Sequence, residues 1–582
     1  MSSKVLVLGI DGATFTLLKP WVEQGRLPNL ARLLQEGAHG PLRSTIPPYS
    51  AQAWCSMMTG KGPAKHGVVD FFQRQAGSTQ HSFVSSPRIQ GEAIWDTLSR
   101  HGKRVGAVNV PLTYPPAQAG AGGYMVSGFM TPKGREDYTY PPELRQEILS
   151  VTGQYDPDPW DLLTPDQGLP SFVRWMEVFE QVARYLHERH PVDVYINVIQ
   201  ALDQLQHTFW DLITDETAHN APQCSSAPRR RGRTAPRRRG RTAPRRRGRT
   251  APRRRGARFW PLIERCYQSM DQAIGQRLGW LDGETTLFLV SDHGFQHVDS
   301  WFHVNRWLAE NGWLQFAGGR SSLARLGLTR EGIKNWVRRL DAFGLRRHVG
   351  RFTRAAIANK LGDTLAQPID WTRTVAYSGS RTSEGIYVNL KGREPQGSVE
   401  PAEYAAVRER IMAALSALVD PRSGQRAVSA VYRREDVQSG PFLPGMPDIF
   451  FSLDNKPYLS SDSTTATRTF ESMSPDDVRG RHHSQGILAI VGPHIVPGLM
   501  LLQARIVDVA PTLLYAMNLP IPADMDGRVL EEAFDDEYRR SHPVRREEPG
   551  ASSPRQAQAE PVYTDEEETE MQRRLHGLGY LS

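Results

Sequence analysis

Apolar and polar positions alternate along the chain on two different periods. Short uninterrupted apolar runs, Val5 to Ile10, Val192 to Ile199, Thr286 to Val290 and Ile487 to Val491, each end in glycine or polar residues, the pattern of strands buried on both faces. Between them, Phe172 to His190 and Pro261 to Leu278 carry apolar residues at helical spacing. Alternating strands and helices of this kind predict an α/β sandwich built on a largely parallel sheet. In such open sheets ligands collect outside the carboxyl ends of the strands, so polar residues just after the runs are candidates for chemistry.

Two stretches leave this pattern. Residues 318–366 are basic and helical in spacing, with Trp336, Val337, Leu340 and Phe343 on one stripe, and are expected to form a surface helical excursion. After Glu532 the apolar content falls through Pro543 to Pro561 and then recovers. Thr564 followed by Asp565, Glu566 and Glu567 reads as the N-cap of a short helix with acids complementing its dipole. The expected organisation is one large domain over 1–535, then a polar linker and C-terminal helix over 536–582.

Composition changes the picture in one place. The net charge of +8 would suggest an anionic partner, but the unit APRRRGRT occurs three times from Ala227 and is followed by APRRRG. Residues 227 to 258 hold 16 arginines and no acid, and without them the charge of +8 becomes −8. An Arg-, Pro- and Gly-rich repeat cannot bury apolar surface, so residues 227–256 are expected to be a disordered insertion. Its functional reading is a tether for nucleic acid or acidic lipid. Identical tandem copies need no selected function, so nucleic acid is not the expected partner.

The N-terminus MSSKVLVLGIDG has one lysine and an apolar run too short for a secretion signal. No uncharged run approaches the roughly 20 residues that span a bilayer, so no transmembrane segment is expected. Cys55, Cys224 and Cys266 are an odd number without CxxC spacing, which fits a reducing compartment and makes the cytoplasm the expected location.

Five segments carry candidate chemistry. Asp11 follows the first strand and precedes Gly12, a position that turn and cap residues also occupy. Ser50 follows two prolines and opens a small-residue stretch, where it could cap a helix or meet a phosphate at the helix N-terminus. Asp203 and His207, four apart, would share one helix face as a metal clip or as a solvated pair. Asp292 and His293 stand directly after an apolar strand and before Gly294, a strong cue for a metal site. His482 and His483 precede the last strand, and either is a candidate ligand; His297 and His303 are left as ordinary histidines.

In type and order these motifs resemble the type I phosphodiesterase and nucleotide pyrophosphatase branch of the alkaline phosphatase superfamily. The family pattern runs through an early Asp-Gly, a Ser or Thr before TGxxPxxHG, then DxxxH, SDHG and GxH. Here these are Asp11-Gly12, Ser50 before Thr59-Gly60 and His66-Gly67, Asp203 with His207, Ser291 to Gly294, and Gly480 with His482. The GxH spacing selects His482 over His483.

The resemblance implies an alkaline phosphatase-like three-layer α/β sandwich, with a central mostly parallel sheet and helices on both faces. It implies two divalent ions, zinc as the usual occupant with manganese as the other candidate. Asp203, His207 and His482 would hold one, and Asp11, Asp292, His293 and Ser50 the other. Ser50, activated by metal, would be the nucleophile and form a covalent phosphoseryl enzyme on a small-molecule phosphoester.

Two departures bear on the substrate. Serine stands where this branch mostly has threonine, which keeps the hydroxyl. Phe71 stands where nucleotide pyrophosphatases have an asparagine that holds a phosphoryl oxygen, so nucleotide diesters are not the implied substrate. A phosphodiesterase is expected ahead of a phosphomonoesterase or a phosphoglycerate mutase-like enzyme. Sulfatase chemistry is disfavoured because Ser50-Ala51-Gln52-Ala53-Trp54 lacks the C/S-x-P-x-R setting. A non-catalytic protein keeping this fold would not be expected to retain all six ligands and the nucleophile.

Overall fold

The computed structural model describes residues 4–74, 81–159, 165–214, 253–317, 368–379, 384–474, 477–550 and 562–578. The proposed helical excursion 318–366, most of the arginine repeat and Cys224 lie outside them.

The apolar runs are strands of one central sheet. Its members are β1 (Lys4–Ile10), β2 (Ala38–Arg43), β3 (Val105–Val110), β4 (Tyr124–Ser127), β5 (Thr139–Tyr140), β6 (Val194–Ile199) and β7 (Thr285–Val290). A separate two-stranded ribbon of β8 (Gly294–His297) and β9 (Gly480–His483) then leads into β10 (Gln485–Val491), and β11 (Ala504–Arg505) completes the sheet. The nine strands lie in the order β11-β2-β10-β7-β1-β6-β3-β4-β5. Only β10 and β5 run against the others, so the sheet is mostly parallel as the sequence predicts. β3, β6 and β7 are buried along their whole length, which is why β6 and β7 read as continuous apolar runs rather than as alternation.

Helices cover both faces. The helix α1 (Ser50–Thr59) packs with Val509–Ala516, while α2 (Pro165–Arg189) packs with α4 (Arg253–Gly279), and α4 with Pro28–Glu36. Between them in sequence, α3 (Ala201–Ile213) follows β6 directly. Both long helices begin before their expected starts, with Pro170 and Pro261 inside them. Residues 253–256, expected within the disordered repeat, are the first residues of α4; arginine is a good helix former and a packed helix can extend into such a segment.

A second apolar core, absent from the sequence reading, gathers Phe302, Trp307, Ile386, Ile411 and Phe451. It lies between a four-stranded sheet that includes Gly385–Val388 and Ile449–Ser452, a three-stranded sheet that includes Ser300–His303, and the helix Tyr404–Ala417. The helix α5 (Asp565–Leu578) forms at the expected place, where Glu567 N donates to Thr564 Oγ1 at 3.3 Å. It docks on the main body: Tyr563 stacks on Tyr114, and Arg574 pairs with buried Asp158. Among the described residues no helix is long and apolar enough to cross a membrane.

Candidate metal and phosphoester site

Three neighbouring parallel strands, β7, β1 and β6, end at the same edge of the sheet, and their connections deliver the acids. Asp11 follows β1, and its backbone N donates to Ile199 O at 3.0 Å. Asp292 follows β7 and accepts from Gly12 N on Oδ1 at 3.2 Å. Gly12 has a φ of +71°, and a Cβ there would sit 3.2 Å from the Asp203 Cα, so both the turn and the close approach require glycine. Asp203 occupies the first turn of α3, with His207 one turn later.

The ribbon brings in the other histidines. Phe295 pairs with His482 across β8 and β9, and the rings of His293 and His482 stack at 3.7 Å. Strand alternation carries His483 to the opposite side, where it is half-buried and its Nδ1 accepts from Gln485 N. His297 is exposed beside Asp211, and His303 is buried in the three-stranded sheet beside Glu471, both away from the cluster.

The expected site residues therefore come together. Asp203 Oδ1 lies 3.5 Å from His207 Nε2 and 3.3 Å from His482 Nε2, and those two nitrogens are 2.9 Å apart. His293 Nε2 lies 3.5 Å from Asp11 Oδ1, 3.8 Å from Asp203 Oδ1 and 3.2 Å from Asp292 Oδ2. The groups Asp203, His293, His482 and Asp11, Asp292, His293 are each compact enough to hold a cation.

Each histidine places Nδ1 against a backbone carbonyl: His207 on Gly480 O at 3.1 Å, His293 on Gly294 O at 3.0 Å, His482 on Pro48 O at 3.0 Å. A carbonyl can only accept, so Nδ1 carries the hydrogen and the Nε2 lone pairs face the cluster. A Cβ on Gly480 would lie 2.4 Å from Gln206 O, and its absence lets the ribbon reach His207.

Electrostatically the cluster is incomplete by itself. Burial, then the charges of Asp292 and Asp203, raises Asp11 well above the ordinary carboxylate range. Burial, then Asp203, pushes Asp292 up to about 8. Burial lowers the imidazoles, His207 to about 4 and His482 to about 3, and holds His293 far down, so all three are neutral. Asp292 Oδ2 is buried and accepts no hydrogen bond among the described residues. Three carboxylates and three inward imidazole nitrogens fit hard to borderline divalent cations, which would supply the missing positive charge.

Ser50 is the first residue of α1 and fully buried. The cap position belongs to Tyr49, whose side chain makes no cap bond. Ser50 Oγ lies 2.9 Å from His293 Nε2 and 3.5 Å from Asp11 Oδ1. Sequence reading missed two supports. Trp54, one turn beyond Ser50, donates Nε1–H to Asp11 Oδ2 at 3.0 Å; the i, i+4 spacing was the available signal. Phe295 sets its ring against those of His207 and His482 at 4.8 and 5.4 Å, a contact that no local pattern announces. Phe71 is fully buried, edge-on to Phe129 at 5.5 Å.

The family model for type I phosphodiesterase / nucleotide pyrophosphatase matches residues 5–485, and the chain belongs to that family. It is accordingly a metal-dependent hydrolase acting on phosphoric ester bonds. No curated protein sequence matches the chain. Among solved structures it is similar to murine ectonucleotide pyrophosphatase / phosphodiesterase 5, at 11% identity over 91% of this chain and 100% of that one, with a TM-score of 0.44. It is also similar to phosphonoacetate hydrolase from Sinorhizobium meliloti 1021 in complex with phosphonoacetate, at 14% identity over 89% and 95%, with a TM-score of 0.46.

Proposed function

We propose that the protein is a two-metal phosphodiesterase in which Ser50 is the nucleophile and a phosphoseryl enzyme is the intermediate. The observation that carries this is the position of Ser50 Oγ, 2.9 Å from His293 Nε2. Asp203, His207 and His482 would hold one ion, and Asp11, Asp292 and His293 the other. Zinc is the expected occupant, with manganese as the alternative suited to the same ligands. Bound there, such ions supply charge neutralisation for a phosphoryl group and lower the pKa of the serine hydroxyl.

The chain's own part is positional. Ser50 Oγ forms the new bond to phosphorus as the bond to the ester oxygen breaks, and water then cleaves the phosphoserine in a second displacement. The first amides of α1 would face the phosphoryl oxygens, where the helix dipole favours negative charge. Asp11 is held by the Trp54 N–H so that its other oxygen stays near Oγ.

The substrate is proposed as a small-molecule diester. The compartment is proposed as the cytoplasm, in keeping with the buried thiols of Cys55 and Cys266.

The test is hydrolysis of a chromogenic phosphodiester and its monoester with zinc or manganese, by wild type, Ser50→Ala and His482→Ala. Metal-dependent turnover lost in both variants, with metal content kept in Ser50→Ala, is the expected result. Full turnover by Ser50→Ala would overturn the nucleophile assignment, and faster monoester cleavage would overturn the diesterase reading.

A further inference from the structure

Where the edge of the main sheet meets the second sheet there is a cavity of about 240 Å³. Thr45, Pro47 and Pro48 form one wall, and Glu384, Tyr432 and Asp454 the other. The first wall leads into the site: Pro48 O is the carbonyl that accepts from His482 Nδ1, and Ser50 follows two residues later. Two residues of extended chain span at most roughly 7 Å, so this wall of the cavity lies within that distance of the Ser50 backbone.

Glu384 distinguishes the cavity from a packing defect. Its side chain is 2% exposed, and Oε1 holds Arg481 Nη2 at 2.5 Å. Oε2 is buried and accepts no hydrogen bond among the described residues. Burial pushes the carboxyl up to about 7 against the pull of Arg481, with the nearby charge of Asp454 adding to the rise. Asp454 lies on the same wall, with Oδ1 accepting from Ser484 N at 3.2 Å. A buried acceptor without a donor costs about 1–3 kcal/mol, which a ligand that supplies the donor would recover. Arg43 lines the same space, so its charged groups are two carboxylates and one guanidinium, and at the Glu384 end the acceptor without a donor favours a hydroxyl or an ammonium group.

We propose that this cavity is a subsite for the alcohol portion of the phosphoester, and that Glu384 selects alcohols carrying a hydrogen-bond donor. The proposal rests on the reading that Ser50 is the nucleophile. Apolar contact with Pro47 and Pro48 would hold the carbon chain while Glu384 Oε2 accepts from its far end.

The test uses non-hydrolysable methylphosphonate monoesters of glycerol, ethanolamine and methanol. Their dissociation constants would be measured by calorimetry on metal-loaded wild type, Glu384→Gln and Tyr432→Trp. Wild type should bind the glycerol or the ethanolamine ester about tenfold or more tightly than the methyl ester, the size of one net hydrogen bond. Tighter binding of the ethanolamine ester would identify an ammonium group, and of the glycerol ester a hydroxyl. Glu384→Gln should erase the preference and leave the methyl ester within about twofold. Tyr432→Trp, which fills the cavity from a half-buried position, should weaken the larger esters alone.

Equal affinities for all three esters in wild type would overturn the proposal, as would a uniform loss across them in Glu384→Gln. Binding does not require turnover, so failure of the hydrolytic reading would show separately, in the chromogenic assay.

Discussion

Two regions of this molecule bury carboxylates completely, and they treat them in opposite ways. In the second sheet, Asp448 is ringed by donors that the chain itself provides. Arg393 approaches both oxygens at 2.7 Å, Arg434 lies at 3.1 Å, and Tyr404 OH and Val388 N each donate at 2.7 Å. At the edge of the main sheet, Asp11, Asp203 and Asp292 face one another, and their partners are uncharged: neutral histidines, the Ser50 hydroxyl, the Gln204 amide, the Trp54 N–H and the Gly12 amide. A buried ion costs several kcal/mol unless it is compensated. The first region carries its compensation in the sequence, whereas in the second a bound cation would supply it. Burial alone does not register that difference, since both groups are 0% exposed.

The comparison can be broken most decisively at Asp292. Asp292→Asn should lower turnover by more than about 100-fold, because changes to the mere hydrogen-bond partners of ligands already cost 10- to 100-fold. Metal content should fall with it. The melting temperature of the metal-free protein should hold or rise, since asparagine removes the cost of keeping a buried carboxyl protonated; a clear fall on scanning calorimetry would show that Asp292 is structural after all.

Asp448→Ala should behave in the reverse sense. Leaving Arg393 and Arg434 without their acid should cost about 3–5 kcal/mol of stability by urea titration, with metal stoichiometry unchanged in the folded fraction.

Asp158 stands between the two, with one buried arginine, Arg574, as its counter-ion and Met130 N donating to Oδ2 at 3.0 Å. Burial, opposed by Arg574, pushes it up to about 6. Because the folded value lies above the unfolded value of 3.8, the folded state keeps a proton that the unfolded chain has already released. Its contribution to stability should therefore decline as pH rises from about 4 to about 6, and melting temperatures of Asp158→Asn should lack that decline.

The smallest effect should come from the arginine repeat. Deleting residues 227–252, ahead of α4, should leave hydrolysis unchanged in the chromogenic assay.

Much of this architecture was legible because it is local. Four apolar runs announced four central strands within two residues of their observed ends, and the acids and histidines just beyond them form the cluster. Ser50 was the ambiguous member, since a serine at the start of a helix is ordinarily a cap; only the location of His293 and Asp11 shows its hydroxyl turned inward. The second core was not legible. Its strands are two to four residues long, too short for a period to register, and its helix Tyr404–Ala417 is only weakly amphipathic.

By itself the sequence determined the layered α/β plan, the edge of the sheet where chemistry gathers and which residue types stand there, because strand periodicity and strand-end position are properties of neighbouring residues. Only the tertiary structure decided which Nε2 faces which carboxylate, that Trp54 and Phe295 hold them there, and that Glu384 pairs with Arg481 beside a cavity. Most of those contacts join residues far apart in the chain, Ser50 with Asp11, Glu384 with Arg481 and Gly12 with Asp292 among them, and their geometry depends on how sheets, ribbon and helices pack rather than on any pattern along the chain.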